Sequence, residues 1–208
     1  MTQTIDLLGE LVEMMGGRYR PAEELKSRSS QLAVGAALAS LAFAALWGLA
    51  AGAGEAALAL ANLYKVPMVV LLSSLVAAPA GLLALKLWAP GYSAREMLLG
   101  FTVSTFGGTL VLAVISPLLA LYYHTSAWAG PMLGTGSVAL SLLVGIAIFV
   151  RYALSKVPEG VSRTGTFCAA VVFAVMQVAV MAQLAALAAP ILTDSALFTG
   201  GIDQITAD

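Results

Sequence analysis

The sequence contains few charged residues. Of its 208 residues, 10 are Lys or Arg and 11 are Asp or Glu, about 10% in total, whereas a soluble domain has roughly 25%. So few charges cannot cover the exterior of a water-soluble fold of this size, which excludes a soluble globular protein. The net charge is −1 and no Lys/Arg-dense face exists to neutralise phosphates, so a nucleic-acid partner is excluded as well.

Reactive side chains are equally scarce. The sequence has no catalytic dyad, metal-binding cluster or phosphate-binding loop, and this predicts a protein that is not an enzyme and needs no cofactor. Its one cysteine, Cys168, cannot form an intrachain disulfide and is interpreted as a buried, inert thiol. Its one histidine, His124, could bind a haem or a chlorophyll-type pigment or sense pH, or could simply lie at the membrane interface.

Long apolar runs dominate the rest of the chain, which is 60% hydrophobic with a mean hydropathy of +0.94. A bilayer core of about 30 Å needs roughly 20 apolar residues in a helix. Five runs meet this length: 31–54, 66–88, 97–123, 132–154 and 167–192. They are continuous rather than alternating, which excludes a barrel. The predicted fold is therefore all-α, a polytopic bundle of five transmembrane helices in one domain.

The basic residues alternate between the two sides of these spans. Nine of the ten fall on the side of the N-terminus: Arg18, Arg20, Lys26, Arg28, Lys86, Arg95, Arg151, Lys156 and Arg163. The other side has only Lys65, together with acidic residues such as Glu55 and Asp194. Because positive loops stay in the cytoplasm, the N-terminus is predicted to be cytoplasmic and the C-terminus outside. The alanine-rich composition indicates a bacterial inner membrane.

The segment 1–30 is the only sizeable polar segment and is predicted to contain an amphipathic helix. Apolar residues recur at helical spacing and would form one face of this helix: Ile5, Leu8, Leu11, Val12 and Met15. The acidic residues Asp6, Glu10 and Glu13 are expected on the opposite face. Gly16-Gly17 is expected to end the helix. This amphipathic helix could lie on the cytoplasmic ends of its own bundle, or it could bind a partner protein or the membrane surface.

Two further segments lie outside the core of the spans. The stretch from Glu55 to Lys65 is expected to form a short interfacial helix, after which Pro67 opens the second span. The external tail, 193–208, is expected to be loosely ordered. Pro79, Pro117 and Pro190 lie inside or late in spans and are expected to bend them.

Small residues recur at four-residue spacing within three spans, where they let helix backbones approach closely. They are Gly48 and Gly52 in the first span, Gly100, Ser104 and Gly108 in the third, and Ser137, Ser141 and Gly145 in the fourth. This spacing predicts helix packing, either within one bundle or against a second chain.

Polar but uncharged residues also lie within the spans, where no Asp, Glu or His occurs. Those that could line a hydrated path for a small solute or ion are Thr102, Thr105, Thr109, Gln177 and Gln183. The same groups could instead bond between helices or to their own carbonyls. The absence of charge at mid-membrane argues against ion-coupled active transport.

The opening of the second span, from Lys65-Val-Pro67 to Pro79, resembles the corresponding Lys-x-Pro…Pro opening in small bacterial membrane proteins of the Yip1-like family. That family has a cytoplasmic N-terminal segment and five packed spans. The resemblance covers the topology of the whole chain and, in sequence, the region from Lys65 to Trp88. It implies a non-enzymatic, partner-binding protein and supplies no catalytic residue.

Three functions follow from these features. The first is a scaffold or accessory subunit that packs against other membrane proteins in the bilayer. The second is a homo-oligomeric channel or passive permeation pathway. The third is an accessory subunit of a redox or light-harvesting complex, with His124 near a pigment.

Overall fold

The computed structural model describes residues 2–18, 22–125 and 128–192, and these residues form six α-helices and no strand. The helices are α1 (Thr2–Met15), α2 (Ala22–Ala51), α3 (Ala56–Trp88), α4 (Ala94–Thr125), α5 (Ala129–Ser155) and α6 (Arg163–Ala188). Helices α2 to α6 are each long and apolar enough to cross a membrane. The predicted all-helical bundle with five spans and an additional N-terminal helix is therefore confirmed.

The start of the second span differs from the prediction. α3 runs without interruption from Ala56 to Trp88, so the expected separate helix from Glu55 to Lys65 is the first part of the span helix itself. Pro67 lies inside this helix instead of opening it. The physical reason is that the segment before Pro67 is rich in alanine and leucine, which favour helix, and it packs closely against α2. The cost of one proline does not outweigh that packing.

The end of the fifth span also differs. α6 ends at Ala188, so Pro190 follows the helix and does not bend it, and 189–192 lie outside the helix. At its other end, the Ser162 side chain caps α6 by accepting a hydrogen bond from the Gly165 N–H at 3.0 Å. The predicted external tail, 193–208, lies outside the described residues.

The five long helices pack around a common centre. α2 packs between α3 and α4, α4 packs on α5, and α3 packs on α6. α5 and α6 complete the arrangement, and they pack on each other less closely than the other pairs just named. We call the end of the bundle that carries Arg28, Lys86, Arg95, Arg151 and Arg163 the basic end. The other end, where α2 meets α3, is called the opposite end.

α1 packs against the basic half of the bundle, over α2 and α4. Leu11 and Met14 are fully buried there in a cluster with residues such as Phe106 of α4, and burial of each such side chain contributes about 2 kcal/mol. Of the two alternatives for this helix, the structure has the one in which α1 lies on its own bundle. Its exposed side includes Val12 and Glu13.

One acidic residue of α1 is not where the sequence pattern put it. Glu10, expected on the polar face, is only 6% exposed, and its carboxylate lies 2.9 Å from the Arg28 guanidinium of α2. Arg151 of α5 donates a hydrogen bond to the Met15 carbonyl at the end of α1. Carbonyls at a helix C-terminus lack partners within the helix, so this cation satisfies one of them. These two arginines bind α1 to α2 and to α5.

Aromatic side chains fill the basic half of the bundle core. Phe101 of α4, Phe149 of α5 and Phe173 of α6 contact one another, with ring centroids 4.3 to 5.8 Å apart. Just beyond them, the buried Tyr152 hydroxyl donates to the Glu96 carboxylate at 2.8 Å. This cluster of aromatic side chains fills the core between the basic end and the less densely packed centre of the bundle.

Candidate intramembrane cavity

The glycine pair of α2 forms the contact between α2 and α3. A Cβ on Gly48 would lie 2.4 Å from the Asn62 carbonyl oxygen, and one on Gly52 would lie 2.4 Å from the Ala59 nitrogen. Both distances are too short for any side chain, and both involve backbone atoms that cannot move aside. The two glycines therefore allow α2 and α3 to approach backbone to backbone within one chain.

The small residues of α4 and α5 face each other in the same way. A Cβ on Gly100 would meet the Tyr152 ring at 2.3 Å, and one on Gly145 would come within 3.3 Å of the Ser104 carbonyl. Ser141 donates a hydrogen bond to the Gly108 carbonyl at 2.8 Å. Ser137, further along α5, accepts a hydrogen bond from Trp47 Nε1 of α2 at 2.9 Å. All the small residues noted in the sequence thus contact neighbours within the chain.

Near the middle of the bundle these helices leave a cavity of about 160 Å³. All five long helices line it, and most of its surface is apolar, with Val69, Leu142 and Met181 as examples. A cavity of similar size in a soluble protein, about 150 Å³, accepts benzene. The space is therefore large enough for a small ring or a segment of an alkyl chain.

Polar side chains from α4, α5 and α6 also face this cavity. Of the five residues predicted to line a path, Thr105, Thr109 and Gln177 do line the cavity. Ser104 and Ser141, predicted as packing residues, line it as well. Some of the predicted path-lining residues and some of the predicted packing residues therefore line the same cavity.

Thr102 and Gln183 are not among the residues that line the cavity. Thr102 is half-buried on α4 and donates to the Leu99 carbonyl at 2.9 Å. Gln183 is exposed on the outer surface of α6. The two glutamines of α6 are six residues apart, which places them about 120° apart around the helix, so only one of them can face the centre.

Gln177 is the most buried polar group at mid-membrane on α6, with 8% of its surface exposed. Its Nε2 donates to the hydroxyls of Ser73 and Ser74 on α3, at 3.0 and 3.3 Å. Its Oε1 is buried and has no hydrogen-bond partner among the described residues. A buried amide oxygen without a partner is costly, since it has lost its water and gained nothing in return.

Different side chains line the cavity towards its two ends. At the basic end, Phe101 and Phe149 line it and belong to the aromatic cluster. At the opposite end, Ile191 lines it. The segment after α6 is held there because Asn62 Nδ2 donates to the Ile191 carbonyl at 2.6 Å and Lys65 Nζ donates to the Pro190 carbonyl at 3.3 Å.

The side of the cavity between α5 and α6 is different. A shallow hollow on the outer surface there shares Ile146, Ala174 and Val178 with the cavity wall. The cavity therefore approaches the outside of the bundle between α5 and α6, which pack less closely than α4 on α5 or α3 on α6.

Several of these residues could hardly be identified as site residues from the sequence. Asn62 and Trp47, which hold the opposite end together, are single polar groups in apolar runs. A buried polar atom needs a partner, which is a signal that each must bond somewhere, but the sequence does not say to what. Ser73 and Ser74 stand out as a polar pair, yet their partner is 103 residues or more away along the chain.

His124 and Cys168 lie away from the cavity. His124 is exposed in the last turn of α4, near the opposite end. Cys168 is exposed on α6, so the interpretation of a buried thiol was wrong; it is on the side of the helix that turns away from α3 and α5. Within the described residues no group of three or more His, Cys, Asp or Glu side chains could hold a metal ion.

The fold and the cavity define the class of this protein as a polytopic α-helical membrane protein. The chain matches no protein-family model, no curated protein and no solved structure with which it was compared. The resemblance to the Yip1-like family therefore stays a prediction.

Proposed function

We propose that the protein is a non-enzymatic subunit or scaffold of a membrane protein complex, and that it binds a transmembrane helix of its partner on the outer surface of α6. The observation that carries this proposal is the position of Gln183. Its side chain is exposed on a helix that crosses the bilayer, and it makes no hydrogen bond to any residue that the structure describes.

Gln183 lies in the last two turns of α6, a helix of 26 residues or about 39 Å. The hydrocarbon core is about 30 Å thick, so this position is close to its boundary or just inside it. Lipid chains cannot bond to an amide, whereas a polar side chain on a neighbouring helix can. An exposed glutamine at this depth is therefore better satisfied by a partner than by lipid.

The surroundings of Gln183 favour close approach of a helix. Of the exposed neighbours of Gln183 on this helix, Ala179, Ala182 and Ala186 are small, while Leu187 is a large apolar side chain that is 82% exposed. Small side chains at this spacing allow a second helix to come near, and van der Waals packing then drives association in a solvent that is already apolar. By contrast, the glycines and serines that recur at four-residue spacing on α2, α4 and α5 contact neighbours within the chain.

Site-specific crosslinking in the native membrane tests this proposal. A photoreactive benzophenone amino acid is placed at position 183, and the same amino acid at Leu143, which is 67% exposed on α5, serves as the matched control. We expect a crosslinked product of one defined mass from position 183 and not from position 143. Native mass spectrometry in mild detergent then identifies the partner, and Gln183→Leu is expected to weaken the complex.

Other outcomes point elsewhere. A product that consists of two copies of this chain favours the homo-oligomeric alternative. Products of equal yield at both positions, or none at position 183, contradict an interface on α6. A pigment mass in the assembly would favour an accessory subunit of a redox or light-harvesting complex.

A further inference from the structure

One oblique row of side chains on α6 is exposed along the whole helix. Residues four positions apart are neighbours on a helix surface, so α6 carries four such rows. Three of them contain buried or half-buried residues, and only the fourth is exposed at every position. Each step along a row advances about 40° around the helix axis, so this row crosses the outer surface diagonally. We call it the exposed row: Phe167, Val171, Val175, Ala179, Gln183 and Leu187.

The hollow between α5 and α6 lies beside the first half of the exposed row. Val171, Val175 and Ala179 of the row line it, and Ile146 lines it from α5. All the residues that line the hollow are apolar. Val175 is at the midpoint of α6, so the hollow is near the middle of the span. A recess of this kind on a lipid-facing surface fits a large apolar side chain from a neighbouring helix.

The hollow and Gln183 are continuous along the row. Ala179 lines the hollow, and Gln183 is the next residue of the row, about 6 Å further on. An acyl chain can fill a hollow, but it has no group that bonds to the Gln183 amide. A transmembrane helix can do both, because its own residues at positions i, i+4 and i+8 have the same spacing as Val175, Ala179 and Gln183.

On the basis of the interface proposed above for Gln183, we propose that the partner helix follows the exposed row with three matching positions. A large apolar side chain of the partner enters the hollow, a small one lies over Ala179, and an uncharged polar one bonds to Gln183. The polar residue is seven or eight positions from the large apolar one, which is two helical turns. Helices whose i±4 rows interdigitate in this way cross at about −40° to −50°.

The chemistry of Gln183 limits the polar residue of the partner. A carboxamide both donates and accepts hydrogen bonds, so it pairs with a hydroxyl or with a second amide. An ionised side chain would lack a counter-charge, because the exposed row contains no ionisable residue from Phe167 to Leu187. The partner residue is therefore Ser, Thr, Asn or Gln.

Photocrosslinking on and off the row tests this arrangement. A diazirine amino acid, which is smaller than benzophenone, replaces one residue at a time in the full chain in its native membrane. Val171, Val175 and Gln183 are the positions on the row. Cys168, exposed on α6 but off the row, and Leu143, exposed on α5, are the matched controls. We expect one and the same partner from all three row positions, at yields about threefold or more above those of the controls.

Tandem mass spectrometry of the digested products then locates the linked residues on the partner. Position 175 is expected to link to or beside a large apolar residue, and position 183 to or beside Ser, Thr, Asn or Gln. Both sites are expected on one helix of the partner, seven or eight positions apart.

A substitution at the small position of the row gives an independent measurement. Ala179→Leu leaves Gln183 unchanged but adds bulk where the two helices are closest. It is expected to lower the fraction of complex recovered in native mass spectrometry about fivefold or more. Ala147→Leu makes the same change at an exposed position of α5 and is expected to leave the recovery unchanged. Both alanines are on the outer surface, so neither change alters the core of the bundle.

The outcomes separate the course of the partner helix from the existence of the interface. A protein product from position 183 with none, or only a lipid adduct, from positions 171 and 175 overturns the course and leaves the interface intact. Linked sites on two different helices, or outside a spacing of six to nine positions, overturn it as well. So does unchanged recovery of the Ala179→Leu complex. No product from any position on the row contradicts both the course and the interface.

Discussion

Gln177 of α6 and Ser73 of α3 are joined by a hydrogen bond of 3.0 Å near the middle of both helices. The same amide nitrogen is 3.3 Å from the Ser74 hydroxyl, and both serines donate onward to the Val70 carbonyl. This chain of bonds links α6 to α3, the helix on which it packs most extensively. It also fixes the orientation of the Gln177 amide, whose oxygen is buried and has no hydrogen-bond partner among the described residues.

The fixed orientation of this amide predicts an unequal effect of two substitutions. Ser73→Ala removes one acceptor of the amide and is expected to lower the free energy of unfolding by about 0.5–1 kcal/mol, the usual value of such a bond in a membrane. Gln177→Leu removes the same bond together with the unbonded Oε1, so its expected change is below about 0.5 kcal/mol. Reversible unfolding in mixed micelles measures both values. A larger loss in Gln177→Leu than in Ser73→Ala would show that Oε1 is not a liability.

The close approach of α2 and α3 predicts an opposite effect of alanine at two glycines. In Gly48→Ala the new Cβ would lie 2.4 Å from the Asn62 carbonyl oxygen, and we expect a loss of about 1–3 kcal/mol in unfolding free energy. Gly136 of α5 has no atom within 4 Å of such a Cβ, so Gly136→Ala is expected to gain up to about 1 kcal/mol from helix propensity. Thermal denaturation of the two variants in the same detergent gives the comparison. Equal midpoints would contradict the backbone contact.

The docking of α1 predicts a contrast between two adjacent apolar residues. Leu11 is fully buried against the bundle, whereas Val12 is 51% exposed. Leu11→Ala is expected to weaken docking by about 2–5 kcal/mol, while Val12→Ala has little effect. A helix of 14 residues is only marginally stable when it is not packed, so undocking should appear as faster amide hydrogen exchange throughout α1. Exchange that is unchanged in Leu11→Ala would contradict this packing.

The number of spans and the helical class could be predicted from the sequence because they depend on run length alone. Each apolar run is long enough for the bilayer and too long for a strand, whatever its neighbours are. The boundaries depend on tertiary contacts, and there the prediction was less accurate. α3 continues through Pro67 because its first turns pack on Gly48 and Gly52, and a proline rule cannot include that contact.

The cavity illustrates the same limit at the level of single side chains. Gln177 and Gln183 lie on one helix between similar apolar residues, so the sequence does not indicate which of them is buried. Their difference comes from the position of α3, which lies beside one and not the other. Glu10 is a similar case, because its ion pair with Arg28 offsets the cost of removing its carboxylate from water. Which polar residue faces inward is decided by partners that are distant in sequence.

The orientation of the chain in the membrane is predicted by the basic residues and can be measured from both sides. Glu55 and Glu159 are exposed in loops at the two ends of the bundle. In a Cys168→Ser background, Glu55→Cys is expected to react with a membrane-impermeant maleimide on intact cells. Glu159→Cys, in a loop beside Lys156 and Arg163, is expected to react only after the membrane is opened, because basic loops stay in the cytoplasm. The reverse labelling pattern would place the basic end outside, and reaction of both cysteines in intact cells would contradict an odd number of spans between the two ends.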